Sequence, residues 1–367
     1  MAHLFEPIKV GGLELKNRFM RSATWDATAD KAGMVTDKSV DLYERLGNSG
    51  IGLVVSGFAF VSPLGQAVPA QYGIHTDQMI SGLQRMIEAV RYHGTKVALQ
   101  IAHSGINSGY LAGKGIESLA LSSLPEIDRP HREIREDEIE GIIDDFVAAA
   151  VRARVAGFDA IQLHGAHGYL MSQAESPLFN QRTDQWGGNP ENRRRFHLEI
   201  IRRIRKAIGS DFPLLIKFGV MDDREGGLTL DEGIETARQM AAAGIDAIEV
   251  SAGVGEAIPI ARKDNAEVTP FRERAYKAKH EISIPVMLVG GIRTLETAKN
   301  IIKSGDADMV SMCRPFIREP GLVARWQRGE QVSAKCISCN RCLHIGRRGD
   351  SLDCNEERSS KNKVYRS

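Results

Sequence analysis

Eight short runs of apolar, β-prone residues recur along the chain, and segments with helical spacing separate them. Most of the runs are continuously apolar instead of alternating, which is typical of strands buried on both faces of a parallel sheet. The predicted strands are Phe19 to Ala23, Gly52 to Gly57, Val97 to His103, Ala160 to His164, Leu214 to Phe218, Ala247 to Ser251, Val286 to Gly290 and Met309 to Met312.

Amphipathic helices are predicted between these strands. Apolar residues recur at i, i+3 and i+4 from Ile139 to Ala156, and a further helix is predicted from Glu191 to Ile208. Another begins at the capping box Thr229-Leu-Asp-Glu232 and runs to Gly244. In such a box, the hydroxyl and the carboxylate satisfy free backbone amides of the first turn.

A repeated glycine pattern indicates how these elements are arranged. Ala156-Gly-Phe-Asp, Ala243-Gly-Ile-Asp and Ser304-Gly-Asp-Ala each end a predicted helix and lead into a strand. Glycine suits the left-handed C-cap of such a helix. The repeat favours an α/β fold of the (β/α)8 TIM barrel type over an open doubly wound sheet. We predict a barrel over residues 1–330 and a cysteine-rich C-terminal extension over residues 331–367.

Composition narrows the class of partner. The 367 residues are 42% hydrophobic and 26% charged, as in an ordinary globular protein. The net charge of +1 gives no reason to expect nucleic acid or an anionic membrane as a partner. The sequence shows neither a signal peptide nor an apolar run of transmembrane length. We therefore expect a cytoplasmic protein, forming a homo-oligomer, that acts on a small molecule.

Proton-exchanging side chains gather at the predicted strand ends, where TIM barrels place their active sites. His164, His167 and Tyr169 follow the fourth strand. Two neutral histidines could polarise the carbonyl or nitro oxygen of an α,β-unsaturated compound, and the tyrosine could supply a proton. The alternative is structural, with the histidines satisfying buried backbone groups and the tyrosine packed in the core.

Other strand ends suggest a binding site for a charged heterocycle. Gln100 could present a donor and an acceptor to a ring edge, and Lys217 needs a negative partner if it is buried. That partner could equally be a carboxylate of the barrel. Gly290 and Gly291, followed one strand later by Arg314, resemble the phosphate site of many barrels.

The sequence resembles the flavin-dependent Old Yellow Enzyme superfamily from Leu4-Phe-Glu-Pro7 to Arg314-Pro315. The most specific stretches are His164-Gly-Ala-His167-Gly-Tyr169, Asn180-Gln-Arg182-Thr-Asp184 and Trp186-Gly-Gly-Asn-Pro-Glu191. Two departures stand out. Lys217 occupies a position that is usually arginine, and Ile106 stands where many members carry arginine.

The resemblance implies FMN at the barrel mouth and NADH or NADPH as its reductant. His164 and His167 would anchor the activating oxygen of the substrate, hydride would pass from flavin N5 to the β-carbon, and Tyr169 would protonate the α-carbon. The implied cofactor residues are Ser22, Ala23 and Thr24 near the isoalloxazine, Gln100 on its pyrimidine edge, Lys217 near N1 and the C2 oxygen, and Gly290, Gly291, Cys313 and Arg314 around the phosphate.

Four cysteines in the extension have the spacing of a metal site, Cys336-x2-Cys339-x2-Cys342-x11-Cys354. The spacing suits a [4Fe-4S] cluster and is similar to the cluster segment of the dienoyl-CoA reductase and trimethylamine dehydrogenase branch, but four cysteines can equally hold zinc. The sequence ends soon after Cys354, so we expect an external electron-transfer partner to deliver electrons to a cluster.

The leading functional expectation is an ene-reductase, an NAD(P)H-dependent flavin oxidoreductase that reduces activated carbon–carbon double bonds. An amine dehydrogenase or demethylase that passes electrons out through the cysteine tail is the second expectation. A non-catalytic flavin subunit of an electron-transfer complex is the third.

Overall fold

A computed structural model of the chain describes residues 3–255, 269–347 and 350–356. The eight predicted strands all form, and each pairs in parallel with its neighbour. Pairing between the third and fourth strands and between the eighth and first strands closes the sheet, which confirms the (β/α)8 TIM barrel. The strands are β1 Phe19–Arg21, β2 Leu53–Val55, β3 Lys96–Ala102, β4 Ala160–Gly165, β5 Leu214–Gly219, β6 Ala247–Ser251, β7 Val286–Val289 and β8 Met309–Met312.

Helices between the strands cover the outside of the barrel. The main ones are α1 Asp37–Gly47, α2 Ile80–Arg91, α3 Glu136–Ala156, α4 Pro190–Ile208, α5 Leu230–Ala243, α6 Arg272–Glu281, α7 Leu295–Lys303 and α8 Leu322–Gln327. Shorter helices are Gly109–Ala112, Leu170–Glu175, Arg314–Arg318 and Arg341–Arg347. In the described ranges, no helix combines the length and the apolar character that crossing a membrane requires.

Local signals in the sequence account for the helix ends. Thr229 caps α5, and its amide also bonds to Glu232, so the predicted capping box is confirmed. Gly157 and Gly244 end α3 and α5 with φ angles of 95° and 117°, in the left-handed region that glycine adopts without a steric penalty. Helix α3 begins at Glu136, earlier than predicted, because three acidic residues in its first turn favour the positive end of the helix dipole.

The interior of the barrel is divided into an apolar and a polar part. Small and aliphatic side chains fill the end nearest the strand starts, where a hairpin of Ile8–Val10 and Leu13–Leu15 covers them. Polar side chains follow towards the strand ends. The buried apolar cluster comprises Val10, Leu15, Met20, Leu53, Val55, Ala98, Ala160, Leu215, Ala247, Met287 and Met309.

The loops that follow β3 and β4 are held together by residues of the stretch from Asn180 to Asp184. Arg182 donates to the carbonyl oxygens of Leu121 and Ile134, which flank the paired strands Ser118–Ala120 and His131–Glu133. It also forms an ion pair with Asp184. Asn180 donates to the carbonyl oxygens of Ala174 and Trp186. These motif residues therefore fix loop structure at some distance along the chain from the catalytic candidates.

Helix α5 lies so close to the barrel that one of its glycines has no room for a side chain. A Cβ atom at Gly233 would lie 1.8 Å from the carbonyl oxygen of Val220, whereas a Cβ at the exposed Gly141 in α3 would meet nothing within 4 Å. We expect Gly233→Ala to destabilise the protein by about 2 kcal/mol or more through overpacking.

The matched variant Gly141→Ala should instead stabilise it by about 0.5–1 kcal/mol, because alanine is the better helix former. Urea unfolding followed by circular dichroism would measure both. Equal effects of the two substitutions would contradict the close approach of α5 to Val220.

Candidate active site

The structure brings His164, His167 and Tyr169 together at the end of β4. The His164 ring centroid lies 5.1 Å from that of His167 and 4.9 Å from that of Tyr169, and it is perpendicular to both rings. Phe58 stacks on Tyr169 at 5.5 Å and meets His164 edge-on at 6.0 Å. His167 adopts a positive φ of 62°, and its amide donates to the carbonyl oxygen of Ala252. The backbone is thus bent to direct three proton-active side chains into one place.

The surroundings of these three groups favour their uncharged forms. Burial lowers the pKa of His164 well below its usual range, and the proximity of His167 and Lys217 adds to the effect. The pKa of His167 is lowered by desolvation in the surrounding protein and by Lys217, although the residue as a whole is exposed. Burial raises the pKa of Tyr169 to about 12. The site therefore offers neutral imidazoles and a protonated phenol.

The hydrogen bonds of these histidines test the alternative that they only satisfy buried backbone groups. His167 Nε2 lies 2.7 Å from Ser251 Oγ, whereas His164 Nδ1 is buried without a hydrogen-bond partner among the described residues. A buried polar atom without a partner is costly, so His164 Nδ1 is available to a ligand. Satisfying buried backbone groups does not explain its position.

A buried polar network lies below the histidines. Gln100 donates to Gln162 at 2.8 Å, and Gln162 donates to Glu249 Oε2 at 2.9 Å. Lys217 Nζ lies 2.6 Å from Ser22 Oγ and 3.4 Å from Glu249 Oε1. The second interpretation of Lys217, an ion pair with a carboxylate of the barrel, is therefore realised. Sequence reasoning did not single out Glu249, although a lone acidic residue within the apolar run of β6 was a signal for it.

The remaining residues predicted near the isoalloxazine lie where β1 meets β8. Thr24 Oγ1 donates to the carbonyl oxygen of Ser22 and lies 3.0 Å from Cys313 Sγ. The amide of Ser22 donates to the carbonyl oxygen of Met312, which extends the pairing of the two strands. Ala23 packs partly buried against the apolar cluster inside the barrel. The structure therefore brings Thr24 and Cys313 together.

The residues predicted to bind the phosphate follow β7 and β8. Gly290 and Gly291 follow β7 with φ angles of 101° and 75°, a conformation that favours glycine. Arg314 begins the helix after β8, and its Nη1 donates to Asn340 Oδ1 and, at 3.4 Å, to the carbonyl oxygen of Ser338. One nitrogen of the arginine is therefore engaged by the cysteine-rich extension.

The four extension cysteines line one surface pocket together with three cationic side chains, Arg314, Arg318 and Lys335. Arg318 Nη1 lies 3.2 Å from Cys354 Sγ. Burial raises the pKa of Cys336, and it raises that of Cys342 to about 11, with a contribution from neighbouring thiols. Among the described residues, no three His, Cys, Asp or Glu side chains are arranged to hold a single metal ion.

A later part of the extension docks on the barrel near the site. The amide of Leu352 donates to the carbonyl oxygen of Asp26 at 2.8 Å. Residues 348–349 and 357–367 of the predicted extension lie outside the described residues. The segment after β1 thus contacts the extension at Asp26 and carries Ser22 and Thr24 at the barrel mouth.

Glu175 has a buried carboxyl group that is only partly hydrogen-bonded. Glu175 accepts a hydrogen bond from Thr236, but its second oxygen has no hydrogen-bond partner in the described chain and lies 3.6 Å from His197 Nδ1. Burial raises the pKa of Glu175 to about 7 and lowers that of His197 to about 3.

Comparison with known proteins agrees with this geometry. A profile of the NADH:flavin oxidoreductase / NADH oxidase family matches residues 3–332. The chain is 38% identical over 343 residues to the NADH oxidase of Thermoanaerobacter brockii, covering 92% of this chain and 53% of that protein. It is 35% identical over 318 residues to the NADPH dehydrogenase of Halalkalibacterium halodurans, covering 86% and 91% respectively.

Solved structures add a further similarity. The complex of 2-naphthoyl-CoA reductase with 2-naphthoyl-CoA superposes with a TM-score of 0.90 at 28% identity, over 96% of this chain and 56% of that chain. Fold and strand-end residues define a TIM barrel of the Old Yellow Enzyme type. The chain belongs to the NADH:flavin oxidoreductase / NADH oxidase family. It spans about half the length of the first three curated relatives that it matches.

The buried carboxyl predicts a pH dependence of stability. The folded-state pKa of Glu175 lies above its ordinary value of 4.5, so the folded protein holds this proton more tightly than the unfolded chain does. Stability is therefore lost as pH rises from about 4.5 to 7, by on the order of 3 kcal/mol at most. We expect Glu175→Gln to remove that loss.

Unfolding midpoints of wild type and Glu175→Gln at pH 5 and pH 8 would test this. The variant should gain stability over wild type mainly at pH 8. Glu225→Gln, which changes an exposed carboxyl in a loop, is the control and should leave the pH dependence as in wild type. The same pH dependence in Glu175→Gln and wild type would contradict the assignment.

Proposed function

We propose that this chain is an FMN-dependent ene-reductase, which takes hydride from NADH or NADPH and reduces activated carbon–carbon double bonds of enones or enoyl thioesters. The observation that carries this proposal is the grouping of the neutral His164 and His167 with the protonated Tyr169 beside Lys217. A carbonyl oxygen needs hydrogen-bond donors, and the carbon next to it needs a proton. The three side chains can supply both.

The residues at the barrel mouth suit FMN. His164 Nδ1 is buried without a partner, and Gln100 and Lys217 provide polar groups at the bottom of the site. The two glycines after β7 carry no side chains that would block the approach of a phosphate to main-chain amides. When bound, FMN supplies hydride transfer. Its proposed contacts are Ser22, Ala23, Thr24, Gln100, Lys217, Gly290, Gly291, Cys313 and Arg314.

Two of the similar proteins support parts of this proposal. The Halalkalibacterium halodurans protein, which this chain matches over 91% of its length, is an NADPH dehydrogenase. The structural neighbour binds 2-naphthoyl-CoA, an aromatic acyl thioester. A thioester carbonyl is the kind of activating oxygen that paired histidine donors would polarise.

Separate half-reactions would test the assigned roles. We expect Tyr169→Phe to slow reoxidation of the reduced flavin by an enone by about 100-fold or more, because the proton donor is lost. Flavin reduction by NADPH should change much less. Stopped-flow absorbance under anaerobic conditions measures both steps.

The double variant His164→Ala/His167→Ala should lose turnover of enones and enoyl thioesters through weaker binding and polarisation. Unchanged turnover in that variant would sink the assignment. Anaerobic bleaching of the flavin by candidate amines and not by NADH or NADPH would indicate the amine dehydrogenase instead. If the chain co-purifies with stable partners and the isolated chain has negligible turnover, it is a non-catalytic flavin subunit.

We propose further that Cys336, Cys339, Cys342 and Cys354 hold a [4Fe-4S] cluster that exchanges electrons with a partner protein. All four line one pocket, yet among the described residues no three ligands are placed to hold one ion. The spacing of three closely placed cysteines and one distant cysteine is typical of [4Fe-4S] ligation, and that spacing is the reason for proposing a cluster here. Nearby Arg314, Arg318 and Lys335 favour bound thiolates.

Anaerobic purification followed by iron, zinc and acid-labile sulfide analysis would test the cluster. We expect about four iron and four sulfide per chain. Cys339→Ser should lose most of that iron, whereas Cys313→Ser, which changes the cysteine outside the quartet, should retain it. One zinc per chain without sulfide would show that the extension holds a structural metal.

A further inference from the structure

Glu249 is a charged residue fully buried inside the barrel, and the proposed chemistry does not use it. Its side chain is 0% exposed. Ser22 and Ser311 each donate to Oε1 at 2.7 Å, and Gln162 donates to Oε2 at 2.9 Å. Together with Lys217 Nζ, four donors face its two oxygens. An ionised carboxylate acts only as an acceptor, so this surrounding suits the charged form.

The ion pair with Lys217 is built into the strand register. Lys217 of β5 and Glu249 of β6 are direct partners in the parallel ladder. Both side chains are almost fully buried, and Ser22 contacts both of them. Neither charge can move far without leaving the other buried and unpaired, which is strongly destabilising. The lysine ammonium therefore meets any ligand at the barrel mouth with a negative charge 3.4 Å behind it.

The charge of Glu249 affects the reduction potential of a flavin bound beside Lys217. An isolated cation beside the pyrimidine edge of a flavin stabilises the negative charge that reduced flavin carries when deprotonated, and it raises the reduction potential. A carboxylate close behind the cation offsets much of that field, particularly in a site with little water. Lysine is suited to such pairing because its charge is compact, whereas the bidentate fork of arginine is absent.

We propose that Glu249 keeps the flavin strongly reducing by neutralising Lys217. This inference rests on the proposed placement of FMN beside Lys217. Glu249 acts through the lysine and is a positioning residue that need not touch substrate. A lower flavin potential makes reduction of the flavin by NADH or NADPH less favourable and hydride transfer to the double bond more favourable. The pair thereby favours the step that delivers electrons to the substrate.

The midpoint potential of bound FMN would test the proposal. We expect Glu249→Gln, which keeps the shape and removes the charge, to shift the reduction equilibrium at least tenfold towards the reduced form. A tenfold shift corresponds to about 30 mV for a two-electron couple. The affinity for sulfite, an anion that adds to oxidised flavin, should rise by a similar factor.

Two further variants separate charge from packing. Lys217→Gln/Glu249→Gln should return the equilibrium to within about threefold of wild type, because both charges are gone. Ser311→Ala removes one hydrogen bond to Glu249 and no charge, so it should shift the equilibrium much less than Glu249→Gln. An unchanged potential in FMN-loaded Glu249→Gln would overturn the inference.

A measurement on wild type keeps the test decisive if Glu249→Gln does not fold. The pH dependence of the wild-type potential reports how many protons the flavin takes up on reduction. With Lys217 neutralised, bound FMN should take up two protons over the same pH range as free FMN. Uptake of only one proton where free FMN takes up two would show an uncompensated cation and would overturn the inference.

A different result would show that the proposed placement of the flavin is wrong. If Lys217→Gln changes neither the affinity for FMN nor its potential and absorbance spectrum, then the flavin does not lie beside Lys217. If Lys217→Gln changes them and Glu249→Gln does not, the flavin is placed correctly and only the role of Glu249 is wrong.

Discussion

Closure of the eight-stranded sheet is the constraint on which the rest of the structure depends. Pairing of β3 with β4 and of β8 with β1 forces inward-facing side chains from different strands to share one narrow interior. At the end covered by the hairpin, apolar side chains fill it. Further up, polar groups enter, and there each must find a partner from another strand. The buried Gln162 and Glu249, two strands apart, bond to each other for this reason.

The fold was readable from the sequence because its signals are local. Continuous apolar runs predicted all eight strands, and glycine C-caps together with the Thr229 capping box located helix ends. The strand-end rule pointed to His164, His167 and Lys217, and these residues lie close together in the structure. Contacts that depend on register were not readable. The pairing of Lys217 with Glu249 follows from which β6 residue lies opposite β5, and a single sequence does not give that alignment.

The family motifs have two different physical roles, which the sequence alone does not distinguish. His164, His167 and Tyr169 face one another at the barrel mouth. Asn180 and Arg182, equally distinctive in sequence, spend their hydrogen bonds on backbone carbonyls of surrounding loops. Arg182 also pairs with Asp184, and a polar side chain whose donors are used within the protein has little left for a ligand. The unpartnered Nδ1 of His164 is the opposite case.

The barrel mouth and the cysteine-rich extension are structurally linked. Thr24 lies against Cys313, Asp26 binds the amide of Leu352, and Arg314 reaches back to Ser338 and Asn340. All of these contacts involve the segments that follow β1 and β8, which are neighbours in the barrel. The segment that carries Ser22 and Thr24 is therefore in direct contact with the extension. The proposed binding sites at the mouth and in the extension therefore lie on connected segments of backbone.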